Sequence, residues 1–109
     1  MANVDVSITG PSGETSFVTA GDQGVAFIGV TGTISAGAIC VVVKVNGGTT
    51  EYVADTIDAT ALAVNATEAG TGTGSFFEQI RIPGKGSVAL KANASFSGSV
   101  TATVFAEPF

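Results

Sequence analysis

The sequence lacks histidine and tryptophan, and its 109 residues include one cysteine, one tyrosine and four basic residues. Without histidine, the chain has neither the usual general base near neutral pH nor the commonest protein ligand of metal ions. A single cysteine forms no intrachain disulfide and cannot build a cysteine zinc site. We therefore predict a protein that is not an enzyme, with no catalytic, cofactor-binding or metal-ligating residues and no cofactor.

Positive charge is also scarce. The four basic residues stand against nine acidic ones, which gives a net charge of −5. Nucleic-acid phosphates attract clustered Lys and Arg, so this balance argues against a nucleic-acid partner. The longest apolar run, residues 38–43, is far shorter than the ~20 residues that span a bilayer. Residues 1–5 carry neither the basic nor the apolar region of a secretory signal, so we expect no membrane contact and a protein made in the cytoplasm.

The sequence is rich in β-branched residues. Val, Ile and Thr number 35, whereas Leu, Met, Glu, Gln, Lys and Arg together number 14. Branching at Cβ suits a pleated strand better than a helix. Apolar and polar residues alternate along much of the chain, and clusters of Gly, Pro, Asn and Ser separate these segments. About eight strands at this spacing predict an all-β, antiparallel sandwich or barrel, formed as a single domain over residues 1–109.

Turn residues and alternation place the individual segments. Asn46-Gly47-Gly48 predicts a hairpin, because Asn and Gly tolerate positive φ, and Pro83-Gly84 predicts a type II turn after which residues 87–92 fold back. Residues 57–64 fit a strand or, given their alanines, a short helix, and their alternation favours the strand. Residues 65–75 are predicted to be a flexible loop, and Cys40 a small buried apolar residue. The predicted strands are 4–9, 15–19, 25–31, 39–45, 49–54, 57–64, 76–82, 87–92 and 96–106.

Two segments could bind small ions, and both have simpler interpretations. Residues 70–75 are rich in glycine, but they lack the spacing of a nucleotide-binding loop and precede a strand rather than a helix. Asp55 and Asp58, with Glu51 nearby, are the densest carboxylates. They could form a weak Ca²⁺ site, since Ca²⁺ prefers oxygen ligands, but turn residues at a solvated strand boundary explain the same spacing.

Aromatic residues supply the candidate contacts with a partner. Alternation assigns most of the seven Phe residues to the core, but Phe77 and Phe105 fall opposite their strands' core residues. Either these strands have two partly covered faces, or an apolar patch contacts another protein. Phe109 follows Pro108, which stops the last strand and leaves Phe109 to dock elsewhere. Tyr52, the one tyrosine, completes the candidate contact residues and is the one side chain suited to stacking on a sugar.

The chain as a whole resembles the short jelly-roll cement, or decoration, proteins that coat the heads of tailed bacteriophages. The features that carry the resemblance are the start Met1-Ala2-Asn3-Val4-Asp5-Val6, a composition dominated by Gly, Thr, Ser, Ala and Val, the hairpin at 46–48 and the closing segment 97–105. The resemblance implies a two-sheet jelly roll, self-association into dimers or trimers, and binding to the major capsid protein on the surface of the virion. It implies no catalytic residue.

Three functions fit these observations. The first is a virion structural protein, and specifically a capsid decoration protein located on the virion and made in the host cytoplasm. The second is another interaction module, such as a fibre or tail component or a bacterial adhesin-type domain. The third is a small carbohydrate-binding module, for which the absence of tryptophan is unfavourable because sugars usually stack on Trp and Tyr.

Overall fold

The computed structural model of the protein describes residues 2–19, 21, 23–63, 73–82 and 84–108. These residues form strands throughout, apart from one short helix. The elements, in chain order, are β1 (Ala2–Ile8), β2 (Val18–Thr19), β3 (Gly24–Ala36), β4 (Ala38–Lys44), β5 (Tyr52–Asp58), α1 (Ala59–Ala63), β6 (Thr73–Ile82), β7 (Ser87–Ala92) and β8 (Ser97–Pro108).

The strands form two antiparallel sheets that pack face to face. The first sheet has the order β1-β8-β3-β6 and the second has the order β2-β7-β4-β5. Strand β1 pairs with β8, β2 with β7, β3 with β6 and β4 with β5. The chain is therefore one long set of nested strand pairs wrapped into two layers, which is the jelly-roll topology. The predicted all-β sandwich of about eight strands is confirmed.

The core lies between the sheets and is built from alternate residues of each strand. On β3, for example, Ala26, Ile28 and Val30 are buried whereas the residues between them are more exposed. Each large apolar side chain that is fully buried stabilises the fold by about 1.5–3 kcal/mol relative to an exposed one. The largest such side chains are Ile8, Ile28, Ile34, Ile39, Ile57, Leu62, Ile82 and Leu90.

Strand β4 lies in the middle of the second sheet, between β7 and β5, as its apolar sequence predicts. Ile39 and Val41 point into the core and Val42, on the outer face, is also buried. Cys40 is half-buried rather than buried as predicted. It alternates with the two core residues and so lies on the outer face of the sheet, opposite Lys91 of β7.

Two glycines allow β3 and β8 to approach closely near one end of the first sheet. Gly32 has a φ of 135° and Gly98 a φ of 150°, a region that other residues rarely adopt. A Cβ atom on Gly32 would collide with the Ser99 carbonyl, and one on Gly98 with the Thr33 carbonyl. The register between the two strands shifts just beyond this point. Glycine at both positions thus lets the longest strands stay paired to their ends.

Both predicted hairpin turns differ from expectation in part. Asn46 and Gly47 have positive φ, and the Gly48 N–H donates to the Val45 carbonyl at 2.9 Å, so the predicted turn forms. Its strands, however, begin pairing only at Val43 and Tyr52, because residues 45–51 form a longer loop. Residues 83–86 do not close a hairpin, since β6 and β7 belong to different sheets. Pro83 lies outside the described residues.

The segment 57–64 is where the preferred prediction is wrong. Ile57 and Asp58 end β5, and a one-turn helix follows over Ala59–Ala63. The Ala61 N–H donates to the Asp58 carboxylate at 3.0 Å, which is the hydrogen bond of a helix N-cap. Leu62 then lies fully buried between the sheets. The helical alternative was the correct one, and Val64 lies outside the described residues.

The predicted loop 65–75 is shorter than expected at its carboxyl end. Thr73 already pairs with Thr33 of β3, so β6 begins there. Residues 65–72, including the first half of the glycine-rich segment 70–75, lie outside the described residues.

Candidate functional site: two exposed apolar patches

An aromatic row crosses the outer face of the first sheet, the side turned away from the core. It consists of Phe27 on β3, Phe77 on β6 and Phe105 on β8. Phe27 pairs directly with Phe105, and their ring centres are 5.9 Å apart. Phe77 pairs with Gly29, one diagonal step from Phe27, and these two rings stack at 6.1 Å. Such cross-strand aromatic pairs stabilise a sheet, but they also place three rings together on the surface.

The exposure of the aromatic row suits a contact surface. Phe77 is 65% exposed, and Phe27 and Phe105 are each partly exposed. Isolated exposed apolar residues are ordinary, whereas contiguous apolar patches mark interaction sites in folded proteins. The Phe27 ring contacts both of the other rings across three strands, so the three form a contiguous patch.

Polar residues border the aromatic row on the same face. At one end Val25 pairs with Arg81 on one side and with Glu107 on the other. At the other end the outward residues carry small hydroxyl groups, including Thr31 and Thr101. A central apolar patch with a polar rim is the usual anatomy of a protein–protein interface.

A second group of exposed apolar residues, called the hairpin-tip patch, lies near the tip of the β4–β5 hairpin and consists of Val45, Tyr52 and Val53. Tyr52 and Val53 are consecutive in the edge strand β5, so their side chains lie on its two opposite faces. Tyr52 is 53% and Val53 63% exposed, and Val45 is also exposed. Residues 46–51 between them are all exposed as well. This hairpin-tip patch belongs to the second sheet, whereas the aromatic row belongs to the first.

The structure divides the four predicted contact residues. Phe77 and Phe105 lie in one row, Tyr52 lies in the hairpin-tip patch, and Phe109 lies outside the described residues. The expectation that most Phe residues are core is wrong. Among the described ones, Phe96 is buried and Phe76 packs partly against the core. Phe77 is exposed, and the others are half-buried without belonging to the core: Phe17, Phe27 and Phe105.

Sequence reasoning missed Phe27 and Val53. The sequence signal for Phe27 was present, because Phe27 alternates with the apolar residues Ala26 and Ile28. In the structure these two neighbours are fully buried, which turns Phe27 outward. For Val53 no such signal existed. A bulge lies between the pairs Val41–Asp55 and Val42–Val53, and a bulge changes which residues share a face.

Part of the outer face of the second sheet is covered by the chain's own residues. Phe17 precedes β2 and lies under the Lys44 ammonium, 4.0 Å from the ring centre. Lys91 forms ion pairs with Glu51 at 2.8 Å and with Glu14 at 3.3 Å. Hydrogen bonding to Glu51 raises the pKa of Lys91. Ala89 of β7, which lies opposite Val42 on this face, is fully buried.

The three carboxylates that sequence groups together are separated in the structure. Glu51 pairs with Lys91, Asp58 caps α1, and Asp55 forms a hydrogen bond with Glu78 of β6. That bond, burial and the nearby charge raise the pKa of Glu78 to about 7. The same bond, together with the Thr56 N–H at 2.8 Å, lowers the pKa of Asp55. Within the described ranges, no three potential ligands converge on a metal site.

Comparisons with known proteins add no relative. No family model matches the chain, and no match was found among curated proteins or solved structures. In the part of the chain that the structure describes, no helix is long and apolar enough to cross a membrane.

Proposed function

We propose that this protein is a non-enzymatic structural component of a virion, and specifically a capsid decoration protein that binds the outer capsid surface and stabilises the head. The observation that carries the proposal is that one jelly roll exposes large apolar side chains at two places on different sheets, the aromatic row and the hairpin-tip patch. A protein that holds other subunits together needs at least two contact surfaces. The distribution of exposed apolar residues supplies them.

The rest of the molecule suits this role. Specific interfaces bury roughly 1,200–2,000 Å² and depend on a few large central side chains rather than on reactive groups. Many copies on one capsid act together, so avidity compensates for modest contacts at each site. A net charge of −5 also disfavours adhesion to nucleic acid and to anionic membranes.

The test is binding to purified, undecorated capsids of the virus whose genome carries this sequence. We expect saturable co-sedimentation with the capsids and a higher capsid melting temperature. The double variant Y52S/V53T removes apolar surface from the hairpin-tip patch, and we expect it to weaken binding about tenfold or more, since exposed aromatic residues often dominate interfaces. The matched control is T49S, on the same loop. Failure of the wild-type protein to bind the capsids would remove the proposal.

The exposure of Tyr52 also favours a second candidate, a small carbohydrate-binding module. A tyrosine ring that is 53% exposed can stack on the apolar face of a sugar. Binding to a glycan array that is lost in Y52A and kept in Y52F, which retains the ring, would favour this candidate. Capsid binding without glycan binding would exclude it. A fibre, tail or adhesin-type module would bind neither capsids nor glycans but a protein of its own assembly or surface.

A further inference from the structure

The outer face of the first sheet is arranged in opposite pairs about β3, its third strand. Arg81 of β6 and Glu107 of β8 lie directly across from Val25, one on each side. All three positions alternate with buried residues and so belong to the outer face. A half-turn about an axis that runs along β3, in the plane of the face, exchanges the two sides. It therefore brings Arg81 of one copy over Glu107 of a second copy, and Glu107 over Arg81.

The same rotation also matches large side chains with small ones. Phe77 lies across Gly29 from Thr103, and Phe105 lies across Phe27 from Gln79. After the half-turn, Phe77 of one copy faces Thr103 of the other, and Phe105 faces Gln79. Facing layers interdigitate best when bulky residues meet smaller ones. Phe27, on the central strand, then lies next to the axis and meets its own counterpart.

The available area suits a weak, reversible dimer. Ten successive pairs, from Gly24–Ile82 to Thr33–Thr73, define the length of the face. Because the axis lies on β3, only β8, β3 and β6 of each copy face strands of the other copy. At roughly 3.4 Å per residue and 4.8 Å between strands, three strands present about 490 Å². Two such faces bury about 980 Å², an area typical of weak, transient association.

We propose that the partner of the aromatic row is a second copy of this chain, packed face to face through the first sheet as a two-fold symmetric dimer. An isologous interface requires a surface that is complementary to itself after a half-turn. Charge and side-chain size meet this requirement independently, and both about the same axis. The inference deepens the proposed function, on which it rests for its biological role, by assigning one patch to self-association and leaving the hairpin-tip patch for the capsid.

The two kinds of contact have different tasks in this dimer. The central phenylalanines exclude water and provide most of the affinity. The Arg81–Glu107 pairs lie at the end of the face, where ion pairs contribute little energy but determine which orientations are allowed. Substitution of a ring thus tests affinity, and substitution of a charge tests the two-fold arrangement.

The affinity test is sedimentation equilibrium up to about 100 μM, since interfaces of this size are often weak. We expect a monomer–dimer equilibrium for the wild type. F77S changes a side chain that is 65% exposed, so we expect it to weaken association at least tenfold while the monomer remains folded, with a small fall in melting temperature from the lost stacking on Phe27. The control T31S, on the same face, should associate as the wild type does. A wild type that remains monomeric, or an F77S protein that associates normally, would overturn the inference.

The orientation test uses charge reversal. R81E and E107R should each weaken self-association, because each places like charges opposite one another across the axis. An equimolar mixture of the two single variants should form heterodimers more readily than either variant forms homodimers, since their reversed charges are complementary. The double variant R81E/E107R should recover self-association. If the substitutions act only within each monomer, the mixture should associate no more strongly than either variant alone. That result would contradict the two-fold arrangement.

These measurements involve no capsid, so the two proposals fail separately. A monomeric protein that binds capsids would refute the dimer and keep the proposed function. A dimer that binds no capsid would support the dimer and refute the proposed function.

Discussion

At the scale of single residues, the pair Asp55 and Glu78 shows how a neighbour determines ionisation. They belong to β5 and β6, which are edge strands of different sheets. The protonated Glu78 carboxyl group donates its hydrogen bond to the Asp55 carboxylate, and the shared proton keeps two negative charges from facing each other. Because the pKa of Glu78 is raised from 4.5 to about 7, the folded protein binds more protons than the unfolded chain between these pH values.

This linkage predicts a pH-dependent stability. The contribution of Glu78 is fully present below pH 4.5 and is lost as the pH rises through about 7. The lowered pKa of Asp55 acts in the opposite sense, so its contribution is lost only in acid, below its ordinary pKa of 3.8. We expect the melting temperature to fall by a few degrees between pH 5 and pH 8, as measured by circular dichroism.

The variant E78Q tests the pair directly. A glutamine amide donates to Asp55 at every pH in this range, so E78Q should lose the fall in melting temperature and be more stable than the wild type at pH 8. The control E14Q removes a carboxyl group on the second sheet, away from the pair and from the proposed dimer face, and should keep the wild-type dependence of melting temperature on pH. If the melting temperature of E78Q still falls between pH 5 and pH 8, the Asp55–Glu78 pair is not the cause of the fall.

At the scale of elements, α1 is stabilised by its position rather than by its length. Isolated helices much longer than five residues are already marginal in water, and α1 spans Ala59–Ala63. The Asp58 cap helps to start the helix, and Leu62 anchors it between the sheets with no exposed surface. The helix thus closes the side of the sandwich between β5 and β6.

Removal of that anchor should destabilise the whole fold. We expect L62A to lower the free energy of unfolding by about 2–5 kcal/mol, because it removes buried methyl groups and leaves a cavity. Urea denaturation measures the change. T60A, at an exposed position of the same helix, should lie within about 0.5 kcal/mol of the wild type. An L62A protein as stable as T60A would show that α1 contributes little to the core.

At the scale of the whole molecule, the jelly roll brings the two ends of the chain together. Ala2 lies opposite Ala106, since β1 pairs with β8 along its full length. The hairpin loop, by contrast, is exposed, and nothing lies within 4 Å of a Cβ placed on Gly47. Joined ends and exposed loop tips are the positions at which circular permutation is tolerated.

A permuted chain should therefore fold. We expect a protein whose ends are joined by a short Gly/Ser linker and whose chain is opened between Gly47 and Gly48 to keep the wild-type circular dichroism spectrum, with a modestly lower melting temperature. A second permutant, opened between Gly29 and Val30, divides the strand that lies between β8 and β6 and should not fold. Equal behaviour of the two permutants would contradict the central role of β3.

The sequence by itself determined the β class, the positions of most strands and the face on which most side chains lie. It placed Phe77 and Phe105 opposite the core, because alternation is a local property of the strand. Only the tertiary structure decided which strands pair, and hence that Phe27 joins these two rings. It also decided that Asp55 contacts Glu78 rather than Asp58, its neighbour in the sequence. It decided further that residues 59–63 form a helix around Leu62. These outcomes depend on register and on contacts between distant segments, which no local pattern specifies.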